Sequence, residues 1–256
     1  MRVHLVNIGQ FSTLHTILDY NTLAADYARY RTAHPGILRC LISVPALNAT
    51  SRALEVGCGT GNYIIRLQEL TGCIASGIDS SEQMLAKARE RNSAVAFKLA
   101  RAESISEPDA AYDLVFTVDV IHHVTDRAAY WRDALRVLRP GGLVCTATDS
   151  EWIIRNRPMS HYFPETVEPE LHRYPDIPIL HEEMSAAGFI AQTEENVEYT
   201  YDLTDASVYQ AKAYSALHLI TADAHAQGME RMERDLRIAP VRCVSRYVLL
   251  WGMRSG

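Results

Sequence analysis

The sequence LEVGCGTGNY, residues 54–63, decides the fold of this protein. A short apolar run there ends in an acid and is followed by Gly57, Gly59 and Gly61. Because glycine has no Cβ atom and adopts positive φ angles easily, three glycines at alternate positions predict a tight turn whose main chain a ligand can approach closely. A tight turn without a ligand stays open as the alternative, although one glycine would be enough for it.

The spacing of these glycines also separates classes of ligand. The dinucleotide-binding pattern is G-x-G-x-x-G, and Asn62 stands where that pattern has its third glycine. The P-loop pattern requires a Lys-Ser/Thr pair after its glycines, and this sequence has none there. The turn therefore disfavours both a nicotinamide dinucleotide site and a P-loop nucleotide site.

Strand-like and helix-like segments alternate from residue 52 onward. The predicted strands, which are short apolar runs, are residues 52–56, 73–79, 94–100, 112–120 and 143–149. The predicted helices between them are residues 62–72, 80–92 and 127–138. Repeated strand–helix–strand units predict an α/β fold with a doubly wound, parallel sheet.

The pattern changes after residue 150. Residues 151–178 contain five prolines and predict a long irregular segment, which in a compact domain is usually a lid or a binding loop. Residues 205–235 have helical periodicity, while residues 190–203 and 241–252 predict two further strands.

Asp79 lies at the end of the second predicted strand, eighteen residues after Gly61. In dinucleotide folds an acid at this place accepts hydrogen bonds from ribose hydroxyls, so Asp79 is a candidate for binding a nucleoside sugar. Its alternative role is to cap the next helix. Ser80 or Ser81 could do that instead, and Ser80 stands three residues before Gln83, the spacing of a capping box.

Composition excludes several classes of protein. The 256 residues carry a formal charge of −6, which argues against a broad nucleic-acid-binding surface. Five cysteines without a C-x-x-C pair predict reduced core residues and no metal site. No apolar run reaches the roughly 18 residues of a membrane span, and the N-terminus does not resemble a signal peptide. We therefore expect a soluble, cytoplasmic protein with no membrane contact.

Four blocks in the chain together carry a resemblance to a known family. They are LEVGCGTGNY, GIDSSEQML (77–85), YDLVFTVDVIHHV (112–124) and LRVLRPGG (135–142). In this order and spacing they resemble the class I S-adenosylmethionine-dependent methyltransferases, in particular their small-molecule branch, methyltransferase type 11. The resemblance covers roughly residues 20–150.

The resemblance implies a fold and a domain organisation. The expected fold is a Rossmann-like, seven-stranded sheet whose last strand is antiparallel, with helical and irregular cap inserts. Residues 1–256 would form a single domain. Its expected parts are N-terminal helices in residues 1–50, a cofactor-binding core in residues 51–150, and substrate-cap inserts in residues 151–180 and 200–240.

The resemblance also implies that the protein binds S-adenosyl-L-methionine and releases S-adenosyl-L-homocysteine. By this resemblance, Asp79 would hold the ribose and Arg31 would pair with the cofactor's carboxylate, although Arg31 could equally lie on a solvated helix face. Arg101 stands where many relatives use an aspartate to bind the adenine amino group. The implied cofactor-binding residues are Tyr20, Tyr27, Arg31, Glu55, Gly57, Gly59, Gly61, Asp79, Ser80, Met84, Ala102, Glu103, Thr117 and Val118.

Candidate catalytic and substrate-binding residues lie beyond the core blocks. His122 and His123 follow the fourth strand, and a neutral histidine there could accept the acceptor's proton; the alternative is a structural pair. The two inserts supply the aromatic and histidine side chains that a partly polar substrate cavity needs, although aromatic residues at helical spacing are more often core. The candidate substrate-binding residues are His161, Tyr162, Tyr199, Tyr214 and His218.

The sequence leaves other functions open. The Asn/Asp-Pro-Pro-aromatic motif of nucleic-acid amino methyltransferases is absent after strand four, so we expect a small-molecule substrate, acted on by a monomer or a homodimer. A tRNA-modifying methyltransferase, a relative that binds the cofactor without methyl transfer, and an NAD-dependent oxidoreductase stay as alternatives.

Overall fold

The structure is a computed structural model that describes residues 29–256; Tyr20 and Tyr27 lie outside the described residues. Its centre is a seven-stranded sheet in the order β3-β2-β1-β4-β5-β7-β6. The strands are β1 (Arg52–Val56), β2 (Ile74–Asp79), β3 (Ala96–Leu99), β4 (Tyr112–Val118), β5 (Leu138–Thr148), β6 (Phe189–Leu203) and β7 (Val241–Arg254).

The first five strands are parallel, and β7 runs antiparallel to both of its neighbours, β5 and β6. All seven residues of β4 are buried, as expected for a central strand that is covered on both faces. The predicted Rossmann-like sheet with an antiparallel last strand is therefore confirmed.

Ten α-helices lie in the part of the chain that the structure describes from residue 35 onward. They are α1 (Pro35–Ser43), α2 (Asn62–Thr71), α3 (Glu82–Arg91), α4 (Arg127–Val137), α5 (Glu151–Asn156), α6 (Pro158–Tyr162), α7 (Val167–Arg173), α8 (Ile177–Ala187), α9 (Ser207–Gln210) and α10 (Ala222–Leu236). Within residues 29–256, no helix is long and apolar enough to cross a membrane.

Alternation of side chains along the strands divides the core between the two faces of the sheet. Leu114 and Phe116 of β4 pack on one face, together with apolar residues of α1, α2 and α3. Val115, between them, packs on the other face with α4 and α8. A third cluster, which includes Phe163 and Met232, holds the two inserts together.

Three local predictions need correction. Of the two candidate caps of α3, Ser81 is the N-cap, since its Oγ accepts a hydrogen bond from the backbone N–H of Met84, and the capping box expected from Ser80 to Gln83 is wrong by one residue. Residues 151–178 are mostly helical, because Pro158, Pro164 and Pro178 occupy first-turn positions that need no N–H donor and Pro175 lies between two helices. Residues 205–235 form a continuous helix only from Ala222, and the turn at Ser215–His218 is a 3₁₀ helix.

Candidate active site

The loop between β1 and α2 adopts the conformation that its glycines predict. Gly57, Gly59 and Gly61 have φ angles of 73°, 52° and 79°, in the left-handed region that residues with a Cβ atom avoid. The loop is fixed to the end of β2, because the N–H groups of Gly57 and Cys58 both donate to the carbonyl of Ile78, at 2.8 and 2.9 Å.

Two of the three glycines are also required by packing. A Cβ atom on Gly57 would lie 2.5 Å from Cγ2 of Val120, and one on Gly61 would lie 2.7 Å from Cδ1 of Ile65. Both distances are far below van der Waals contact. The loop therefore needs glycine at these two positions for its own structure, whether or not a ligand is bound.

Asp79 links the glycine loop to the start of α3 by hydrogen bonds. Its Oδ2 accepts a hydrogen bond from the N–H of Gly59 and its Oδ1 accepts one from the N–H of Ser81, both at 2.8 Å. Burial raises the pKa of Asp79 above its ordinary value. The backbone N–H of Ser80 is a third donor to this carboxylate. Since a carboxylate has about four lone-pair sites, one acceptor site stays open to a hydroxyl donor.

Glu55 stabilises the end of the glycine loop, where α2 begins. It is buried at the end of β1, and its Oε2 accepts a hydrogen bond of 2.9 Å from the N–H of Ile64 in the first turn of α2. Burial raises the pKa of Glu55 well above the ordinary value, and the negative charge of Asp79 adds to this shift. Burying a carboxyl group costs free energy, so its presence here indicates that Glu55 helps to organise the loop.

A cleft opens between the glycine loop and the end of β4. Asp119, the residue after β4, accepts hydrogen bonds of 2.9 Å from Nη2 of Arg31 and from the hydroxyl of Tyr247. The Arg31 guanidinium also lies 4.8 Å from the ring centroid of Tyr214. The cleft is lined by Arg31, Thr32, Glu55, Gly57, Cys58, Asn62, Tyr63, Val118 and Asp119.

Asp119 is a site residue that we did not predict. It has a φ angle of 56°, which is unfavourable for a residue other than glycine and is typical of functional sites. Its sequence signal is its position, because an acid directly after a central parallel strand lies at the edge where doubly wound sheets bind ligands.

The histidine pair lies at the same edge of the sheet. The His122 ring stacks on Tyr174, with 3.9 Å between centroids, and lies 4.0 Å from the ring of His123. Burial and the nearby positive charges lower the pKa of His122 well below its ordinary value. His123 is partly exposed, yet desolvation by the surrounding protein and the positive charge of Arg173 lower its pKa to about 4. Both rings are therefore neutral at pH 7 and are weak bases.

A buried chain of ion pairs joins β5 to the first insert. Asp149, directly after β5, accepts a hydrogen bond of 2.6 Å from Nη1 of Arg157, whose Nη2 contacts Oε2 of Glu170 at 2.6 Å. Arg173 pairs with the other oxygen of Glu170. We call these four residues the ionic chain. The sequence gives no signal for its pairings, because they depend on how the insert folds.

The remaining predicted cofactor residues occupy varied environments. Ser80 is exposed, Met84 is buried in α3, and Ala102 is half-buried. Glu103 accepts hydrogen bonds of 3.1 and 3.0 Å from the N–H and the hydroxyl of Thr125. Thr117, at the end of β4, is fully buried, and Val118 after it lines the cleft.

The predicted substrate residues do not form one cluster. Tyr214 lies at the cleft, on Arg31. Tyr162 donates to Asp235 of α10 at 3.0 Å, and the ring of His161 packs edge-on against it. His218 bonds to the carbonyl of Lys212, and Tyr199 is exposed on β6. Their roles in substrate binding stay predictions.

The fold and this loop define a class of protein, and comparison with known proteins agrees. Residues 54–146 match the family model described as "Methyltransferase domain". The sheet resembles a putative methyltransferase from an antibiotic biosynthesis pathway of Anabaena variabilis, with a TM-score of 0.67, 18% identity, and coverage of 86% of this chain and 98% of that one. The YcgJ protein of Bacillus subtilis is also similar, with a TM-score of 0.63, 17% identity, and coverage of 87% and 100%.

Two characterised relatives are more similar in sequence. The 27-O-demethylrifamycin SV methyltransferase of Amycolatopsis mediterranei is 37% identical over 38% of each chain. A ubiquinone biosynthesis O-methyltransferase of Parvibaculum lavamentivorans is 32% identical over 55% of this chain and 54% of its own. The match spans about half the length of these relatives or less. Residues 54–146 thus match a methyltransferase domain, and the relatives support the class I S-adenosylmethionine-dependent methyltransferases that the resemblance implied.

Proposed function

We propose that the protein transfers a methyl group from S-adenosyl-L-methionine to a small-molecule acceptor. The observation that carries this proposal is the left-handed glycine loop tied to Asp79, which faces the Arg31–Asp119 pair across one cleft. The two sequence relatives named above are methyltransferases by name, which supports the same activity.

The residues of the cleft fit the chemistry of this cofactor. The amino-acid end of the cofactor is zwitterionic. The cleft offers the Arg31 guanidinium and the Asp119 carboxylate, whose Nη2 and Oδ2 atoms lie 2.9 Å apart. The cofactor's ribose needs a hydrogen-bond acceptor, and the Asp79 carboxylate has one. On this proposal Thr117 and Val118 flank the methionine part, Ser80 and Met84 lie near the adenosine, and Ala102 and Glu103 bind the adenine edge.

The cofactor brings a methyl carbon that its sulfonium already makes electrophilic. The protein therefore has to position the acceptor in line and, where the acceptor carries a proton, to accept that proton. We place the acceptor beneath the inserts of residues 151–180 and 200–240, within one domain. His122 and His123, both neutral, would hold its polar group by hydrogen bonds.

The same proposal covers location and partners. All five cysteines are free and buried, which suits a reducing compartment such as the cytoplasm. The net charge of −6 favours a small molecule over a nucleic acid as the acceptor. We expect the protein to act as a monomer or a homodimer.

Two measurements test the proposal. Calorimetric titration should show that S-adenosylhomocysteine binds and that NADH does not. Incubation with methyl-labelled S-adenosylmethionine and a deproteinised metabolite extract of cells that naturally express the protein should then transfer label to a small molecule. Binding of the cofactor without any label transfer would remove the transferase activity and leave a cofactor-binding protein.

A further inference from the structure

Asp149 occupies a second acidic position at the carboxyl edge of the sheet. It follows β5 directly, as Asp119 follows β4, and the two strands are paired in parallel with Val118 opposite Ala147. Both acids therefore lie at the edge that carries the glycine loop. In this class of sheet, ligands bind at that edge.

The carboxylate of Asp149 is buried, and one of its two oxygens is held in an ion pair. Asp149 is 5% exposed, and its Oδ2 is held by Arg157, which leaves Oδ1 for another partner. Arg157 is shared with Glu170, which also pairs with Arg173, whereas the only ion pair of Asp149 among the described residues is with Arg157. Burial, together with the charges of Asp119 and Glu170, raises the pKa of Asp149 to about 7 against the opposing charge of Arg157.

Several buried polar atoms beside the ionic chain have no hydrogen-bond partner within residues 29–256. Both ring nitrogens of His122 are buried without a hydrogen bond among the described residues, as are the Nε atoms of Arg157 and Arg173. A buried polar nitrogen left unpaired costs about 1–3 kcal/mol, so we expect these groups to meet water, a ligand or a residue outside the described range. Since Arg157 and Arg173 lie close enough to His122 to lower its pKa, all these atoms belong to one region.

We place the polar group of the acceptor in this region, beside the histidine pair. Tyr174 stacks on His122, and the negative charge of Asp149 helps to raise the pKa of Tyr174 and of Tyr247. Asp149 therefore lies near Tyr174, the ring that stacks on His122. The histidines are weak bases, whereas a general base works best when its pKa lies near the working pH.

We propose that Asp149 accepts the proton that the acceptor loses on methylation, and that Arg157 positions its carboxylate. This inference rests on the proposed function. In the step, the acceptor's O–H or N–H proton passes to Oδ1 of Asp149, and the acceptor's electron pair forms the new bond to the methyl carbon. The carbon–sulfur bond breaks with its electron pair on sulfur, which becomes a neutral thioether, and Asp149 later returns its proton to water.

The first test is the variant Asp149→Asn in the label-transfer assay described above. We expect its turnover to fall by about 10²–10⁴-fold, the range for loss of a general base. Its affinity for S-adenosylhomocysteine, measured by calorimetry, should stay within about twofold of the wild type, since Asp149 is not among the residues that line the cofactor cleft. The matched control Asp223→Asn, on the exposed first turn of α10, should leave both values unchanged.

The second test uses pH and leaves Asp149 in place. Wild-type turnover should rise with pH through about 7, where Asp149 loses its proton. Asp119→Asn removes a neighbouring negative charge and should move this rise to lower pH. Carboxyl ¹³C NMR of the S-adenosylhomocysteine complex should show the same shift of the Asp149 titration, which is assigned by its absence in Asp149→Asn.

The outcomes separate this inference from the proposed function. If the wild type transfers no label, the proposed function fails and the role of Asp149 fails with it. If the wild type transfers label and Asp149→Asn does so equally well, only the role of Asp149 is wrong. If Asp149→Asn does not fold, the pH dependence of turnover decides: a wild-type turnover that does not rise through about pH 7, or an unmoved rise in Asp119→Asn, would overturn the inference.

Discussion

Asp79 Oδ2 accepts a hydrogen bond of 2.8 Å from the backbone N–H of Gly59, which lies twenty residues earlier in the chain. One carboxylate therefore holds the glycine loop and also faces the space where we place the ribose. The two functions are joined in one side chain because β1 and β2 are neighbours in register, from Arg52 opposite Ile74 to Val56 opposite Ile78.

We expect Asp79→Ala to raise the dissociation constant of S-adenosylhomocysteine by at least about tenfold. A hydrogen bond to a charged group contributes about 1.5–3 kcal/mol, and about 1.4 kcal/mol corresponds to a tenfold change. Calorimetric titration measures the change, and circular dichroism checks that the fold is retained. The exposed Asp223→Ala should bind as the wild type does, and unchanged affinity in Asp79→Ala would remove the ribose role.

Gly57→Ala should destabilise the protein more than Gly141→Ala does. Both glycines have left-handed φ angles, 73° and 77°, so both variants lose about 1–2 kcal/mol from backbone strain. A Cβ atom at Gly57 would also meet Val120, whereas one at Gly141 would have nothing within 4 Å, so Gly57→Ala should lose about 1–3 kcal/mol more. Urea denaturation measures both.

The extra loss of stability in Gly57→Ala should be smaller when it is combined with Val120→Ala, because the shorter side chain at position 120 makes room for the new methyl group. Equal stability losses in Gly57→Ala and Gly141→Ala would contradict the packing role of Gly57.

Arg157→Met should lower the free energy of unfolding by about 3–5 kcal/mol, because it leaves the buried carboxylate of Asp149 without its ion-pair partner and leaves Glu170 with Arg173 alone. Arg155, two residues earlier, makes ion pairs with Glu151 and Glu168 that are largely exposed. Arg155→Met should therefore cost less than about 1 kcal/mol. Denaturant unfolding of the two variants compares them directly, and a small loss in Arg157→Met would show that the ionic chain does not hold the insert.

Glu55→Gln should change how stability depends on pH. Burial raises the pKa of Glu55 in the folded protein, so the folded state keeps a proton that the unfolded chain releases above its ordinary pKa. The unfolded state therefore binds fewer protons, and the wild type loses stability as pH rises through this window. Glutamine does not titrate, so the stability of Glu55→Gln relative to the wild type should grow from pH 4 to pH 8. A pH-independent difference between the two proteins would contradict this account.

The core of the site could be predicted because its signals are local. The glycines and Asp79 each stand at the end of a strand, and strand ends in a parallel sheet share one edge, so their sequence positions fix their positions in the fold. Asp119 and Asp149 follow the same rule and could have been predicted from it.

The insert could not be predicted in the same way. Its five prolines predict an irregular segment, but Pro158 and Pro164 begin helical turns, where a missing N–H costs nothing. The contacts of Arg157 with Asp149 and Glu170 join residues 8 and 13 positions away in sequence. Such pairings follow from tertiary packing, which periodicity and propensity do not encode.

The central claim is that the main chain of the glycine loop forms the binding surface for S-adenosylmethionine. The most direct measurement is calorimetric titration of S-adenosylhomocysteine into the wild type and into Gly59→Val, because a β-branched residue is strained at the φ angle of 52° found there. We predict saturable binding of one equivalent to the wild type and none to a folded Gly59→Val variant. Equal binding by both proteins, or binding of NADH in place of S-adenosylhomocysteine, would contradict the account.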